Sequence, residues 1–85
     1  MDIFEQLGKR IAYLRKERKM SQLSLALEAD INKNYLCDLE NGKRNPTLLI
    51  LNKIAVALGI NLSILFQGIE DFTLEEFVKT IENAK

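Results

Sequence analysis

Residues 22–41, "QLSLALEADINKNYLCDLEN", constrain the fold more tightly than any other stretch. Leu25, Ala29, Ile31, Leu36 and Leu39 recur at helical spacing on either side of a break at Asp30 and Ile31. Ala26 is small at the point where two short helices would cross closely. This spacing predicts two helices joined by a tight turn and held by a shared apolar seam.

The rest of the chain repeats the helical period and nowhere shows the alternation of a strand, so the predicted class is all-α with six helices. The first spans about residues 3–19, with Ile3, Leu7, Ile11 and Leu14 on one face and Arg15, Lys16, Arg18 and Lys19 near its end, where cations meet the helix dipole favourably. Ser21 caps a second helix ending near Ala29, and Asn32 caps a third that Gly42 closes. Pro46 breaks the chain before Thr47, which caps a fourth helix through Leu58 that Gly59 terminates. Asn61 caps a short fifth, "LSILF". After Gly68, Thr73 and Glu76 have the spacing of a capping box, and Phe72 and Phe77 that of a hydrophobic staple. Leu74, Phe77, Val78 and Ile81 then share one face of an amphipathic sixth helix.

At 85 residues and 47% hydrophobic content the chain has one core, because a domain this small buries roughly 60% of its unfolded surface. We divide it into a body over residues 1–68, with its helix pair at 22–41 and the second member of that pair at about 32–41, and a helical extension over 69–85. No segment approaches the ~20 apolar residues of a membrane span, and the N-terminus lacks a signal pattern, so no membrane partner and a cytoplasmic location are expected. Cys37 is the single cysteine and there is no histidine, which excludes an internal disulfide and a metal site of the usual Cys and His kind. No cofactor is expected. Without histidine, a paired carboxylate at a cleft or a phosphate-cradling glycine loop, neither is catalysis.

Twelve basic and twelve acidic residues cancel, which argues weakly against a polyanionic partner. Their distribution changes that reading. Residues 70–85 hold two positive and five negative charges, so the remaining body carries a net +3.

A helix pair of the predicted kind leaves the start of its second helix protruding, where it can enter a DNA major groove about 12 Å wide. The runs "SQLSLA", "NKNYLCDLENGKRNPTL" and "IAVALGINLSILF" together resemble the phage repressor and Cro type of helix-turn-helix domain, the XRE-like family, over about residues 4–68. "NKNYL" followed by "ENGKRNPTL" is most similar to the small controller proteins of restriction-modification systems. The resemblance implies a five-helix repressor-like domain, to which the sixth helix is an addition.

It also implies roles. Gln22 would clamp a DNA phosphate, aided by backbone N–H groups at its helix start. Lys33, Asn34, Tyr35 and Asp38 would face the bases: Lys33 suits guanine O6 and N7, and Asn34 suits adenine N6 and N7, each good pairing discriminating by about 1–3 kcal/mol. Tyr35 would stack on sugar, meet a thymine methyl or pack on the core. Asp38 would accept from cytosine N4 or face solvent. Asn32 would add a phosphate contact to its cap or serve as cap alone, and Asn41, Lys43 and Arg44 would hold the backbone. Arg15 and Glu40 would form an internal ion pair, part of the scaffold. The dimer contact would use Leu62, Ile64, Leu65 and Phe66, extended by Phe77, Val78 and Ile81.

Two departures stand out. Asp30 occupies a turn position where the family commonly has glycine, and aspartate tolerates the left-handed backbone better than most residues. Leu23 and Leu27 lie on one outward face of the second helix where polar residues are usual. They either cover part of the core or receive the apolar face of the sixth helix, and we favour the second.

The expected function is a homodimeric, sequence-specific regulator of transcription on double-stranded DNA. It would occupy a pseudo-palindromic operator, repressing by blocking RNA polymerase or activating by touching it. The alternatives are a protein-interaction module of the same fold and an antitoxin.

Overall fold

The computed structural model describes residues 2–70 and 74–84; within 74–84 it describes side chains at 78, 79 and 81–84. Its regular elements are helices: α1 (Ile3–Glu17), α2 (Gln22–Ala29), α3 (Lys33–Glu40), α4 (Leu48–Ala57), α5 (Leu62–Leu65) and α6 (Leu74–Asn83).

The starts of α1 to α5 are set by short polar side chains. Asp2, Ser21, Asn32, Thr47 and Asn61 each take up an extended backbone and accept a hydrogen bond from an N–H of the first turn, which satisfies a donor that has no partner within the helix. The ends of α1 to α4 share one device. Lys19, Asp30, Gly42 and Gly59 have left-handed backbones. The N–H of the next residue then returns to a carbonyl five positions earlier: Met20 to Arg15, Ile31 to Ala26, Lys43 to Asp38 and Ile60 to Ala55. Met20, Ile31 and Ile60 follow their turns with side chains packed on the core. Lys43, after α3, is exposed.

This closure ends α1 at Glu17, two residues before the expected end at Lys19. The cluster there does more than meet its own helix dipole. Arg18 donates through Nε to the carbonyl of Leu58 at 2.6 Å, so it caps the C-terminus of α4 rather than only that of α1. Arg10 likewise reaches the carbonyl of Ile64 at 2.9 Å.

The core joins Leu7, Ile11 and Leu14 of α1, Leu25, Ala26 and Ala29 of α2, Leu36 and Leu39 of α3, and residues of α4 and α5. Ile3, expected on the same face, is partly exposed at its edge. Gly8 has a role that the helical pattern did not reveal: a Cβ there would lie 2.5 Å from the carbonyl oxygens of Leu39 and Glu40. The end of α3 therefore rests directly on the backbone of α1. Beyond Gly68, Ile69 packs on the core and the Gln6 side-chain amide pairs with the backbone of Glu70, donating at 2.6 Å and accepting at 2.9 Å. Ile69 and Glu70, which the division at Gly68 assigned to the extension, thus touch the body. The expected capping box at Thr73 and Glu76, the staple at Phe72 and Phe77, and the side chain of Leu74 lie outside the described residues.

Candidate nucleic-acid interface

Helices α2 and α3 meet at a turn that Asp30 makes possible, with φ 55° and ψ 49°. Without a Cβ penalty glycine would suit this better, but aspartate is among the side chains that tolerate it. Asn32 starts α3 by accepting from the N–H groups of Asn34 and Tyr35 at 2.7 and 3.2 Å. On the first turn Lys33 and Asn34 are exposed, and their side chains have no partner among the described residues. Tyr35 is half-buried, with part of its ring against the core.

The far end of α3 is anchored. Arg15 donates to Glu40 through Nε at 2.7 Å and Nη2 at 2.9 Å, and to the Met20 carbonyl through Nη1 at 2.9 Å. Glu40 also accepts from the Gln22 side-chain amide at 3.0 Å. The hydrogen bonds to Glu40 raise the pKa of Arg15, outweighing the desolvation that opposes its charge. Gln22 is thus tied to the scaffold by one amide hydrogen, and its second amide hydrogen and its oxygen have no partner among the described residues.

Asp38 and Arg44 are not independent. Arg44 donates to one Asp38 oxygen, Oδ2, from Nε at 3.3 Å and Nη2 at 3.2 Å, and its Cζ stands 5.3 Å from the centre of the Tyr35 ring. Reading residues singly could not find this cluster, since it forms only when the chain folds back after Gly42. Asn41 turns its amide to the Cys37 sulfur at 3.7 Å. Lys43 is exposed. The arrangement offers amide and amine donors on an exposed helix start, a helix N-terminus beside Gln22, and cations after the helix.

Of the residues expected at a dimer contact, Ile64 and Phe66 are exposed and Leu62 is half-buried. Leu65 is not available: it is 0% exposed, in its own chain's core. On a four-residue helix only one face can turn outward, and Leu65 lies on the other. Val78 and Ile81 are exposed, and the Phe77 side chain lies outside the described residues. Leu23 and Leu27 are 52% and 72% exposed, so neither the core nor the described part of α6 covers them. Leu48, Leu49 and Val56 of α4 add exposed apolar surface that the helical period did not reveal.

Comparison with known proteins agrees with this geometry. A helix-turn-helix family model matches residues 11–65. Control protein C.MunI from Mycoplasma sp is 46% identical over 70 residues, covering 81% of this chain and 95% of that protein. The immunity repressor protein of Bacillus phage phi105 is 46% identical over 57 residues, or 67% of this chain, which spans 40% of the repressor. The crystal structure of the restriction-modification controller protein C.AhdI from Aeromonas hydrophila superposes with a TM-score of 0.73 at 33% identity, covering 74% of this chain and 96% of that one. The turn at Asp30, the exposed start of α3 and these similarities agree, and the chain belongs to the XRE-like helix-turn-helix family, with control proteins and phage repressors among its relatives.

Proposed function

We propose that this chain is a sequence-specific, double-stranded DNA-binding regulator that acts as a homodimer on a pseudo-palindromic operator and works by occupancy rather than catalysis. The supporting observation is the state of α3: its first turn offers Lys33 and Asn34 without side-chain partners among the described residues, while Arg15 and Gln22 hold its last residue, Glu40. A rigid helix with an unengaged polar start is what groove reading requires. Gln22, Asn32, Asn41 and Lys43 serve the phosphates. Two heads on half-sites about 34 Å apart need a dimer, for which the exposed Ile64 and Phe66, with Leu62 beside them and Val78 and Ile81 on α6, supply apolar surface. Regulation follows from excluding RNA polymerase at the promoter or touching it there.

The test is a gel shift with the DNA flanking its own coding region, against a scrambled duplex. Binding should prefer the native sequence, and the double substitution Lys33→Ala with Asn34→Ala should abolish that preference while the oligomeric state is kept. Equal affinity for both duplexes would refute sequence reading. The exposed Leu23 and Leu27 favour a second reading, a protein-interaction module, which failure of any duplex to bind would support.

A further inference from the structure

The Arg44 guanidinium is held in a way that ill suits a phosphate clamp. A clamp works by net charge, through neutralising phosphate and releasing counterions. Yet the Asp38 carboxylate sits 3.2 Å from Arg44 Nη2 and offsets that charge. Both side chains are about half exposed, so the pair does little for stability. What it does is fix direction. Asp38 accepts from Nε and Nη2, Tyr35 faces the guanidinium carbon, and both lie on one side of α3, three residues apart. An otherwise mobile side chain from the loop is thereby set against the helix that presents Asn34.

The remaining valences have a specific complement. With Nε–H and one Nη2–H engaged, two Nη1–H groups and one Nη2–H have no partner among the described residues, and the Nη1 and Nη2 edge presents two parallel donors. Guanine offers two adjacent acceptors, O6 and N7, in the major groove, and its cytosine partner offers an N4 donor. Asp38 Oδ1 has no hydrogen bond among the described residues and can accept that donor. We propose that Arg44 reads the major-groove edge of a G·C pair, with Asp38 and Tyr35 as the positioning residues that preset its guanidinium, and that Arg44 is not a backbone clamp.

This rests on the DNA-reading function proposed above. The experiment is selection of bound duplexes from a random pool by the wild-type chain and by its Arg44→Ala and Asp38→Asn variants, each first shown by circular dichroism to be folded. The wild type should enrich a site with a G·C pair at one position per half-site. Arg44→Ala should lower discrimination there by about tenfold or more, leaving the other positions unchanged. Asp38→Asn should weaken the same position alone. If Arg44→Ala instead weakens every sequence alike and lowers the slope of log affinity against log salt by about one, with base preferences intact, Arg44 is a phosphate contact and the proposal falls. If the wild type enriches no sequence, DNA reading itself fails and takes this proposal with it, an outcome distinct from the last.

Discussion

Arg15 of α1 and Glu40 at the end of α3 are joined by two parallel hydrogen bonds of 2.7 and 2.9 Å, with side chains only 10% and 6% exposed. This fork spans 25 residues of sequence and fixes the end of α3 to the scaffold. Removing one partner leaves a buried, uncompensated charge, which costs about 3–5 kcal/mol. Arg15→Met should therefore lower the melting temperature and weaken DNA binding together. Unchanged melting with lost binding would show that Arg15 touches DNA instead.

The same pair gives a pH prediction. The pKa of Arg15 is raised in the folded chain. A folded pKa above the unfolded one gives stability that is fully present below the unfolded value and is lost as pH rises through the folded value. For an arginine both values lie far above neutrality. The difference in melting temperature between wild type and Arg15→Met should thus stay constant from pH 7 to mildly alkaline pH; shrinkage over that range would contradict the assignment.

Gly8 should not accept alanine. Alanine is about 1 kcal/mol the better helix former, but its Cβ would meet two backbone oxygens at 2.5 Å. Neither oxygen sits on a flexible side chain, so α1 and α3 must separate. Overpacking of this kind costs about 1–3 kcal/mol, and the denaturation midpoint should fall. Lys9→Ala, at the next and exposed position, should stay within about 0.5 kcal/mol.

Neighbouring residues of α5 should separate association from folding. Ile64→Asp, on the exposed side, should weaken the proposed dimer in sedimentation and leave monomer stability nearly unchanged. Leu65→Ala should lower stability by about 2–5 kcal/mol, since it empties a fully buried site. An unaltered dimer in Ile64→Asp would remove α5 from the contact.

Affinity should fall with salt. A dimer making ~6 to 10 phosphate contacts loses about 10³ to 10⁵ in affinity between 50 and 200 mM. Because Asp38 offsets Arg44 and Glu40 engages Arg15, we expect the shallow end of that range, read as the slope of log affinity against log salt.

The sequence by itself determined where helices begin and which class of fold they build. Ser21, Asn32, Thr47 and Asn61 cap donors no more than three residues away, and the left-handed closures at Asp30, Gly42 and Gly59 are equally local. Interactions of such short range are set by neighbours in the chain, so they can be read from it. The Arg15–Glu40 pair came from resemblance to a family, since nothing in the spacing of two residues so far apart indicates contact. Only the tertiary structure decided that Gly8 lies under the end of α3, that Arg18 caps α4, that Leu65 belongs to the core, and that Asp38 holds Arg44 against Tyr35. Each depends on the crossing of helices or on a loop folding back. A helical period says that a face is apolar, but it does not say which neighbour meets that face or which polar groups the meeting brings within reach.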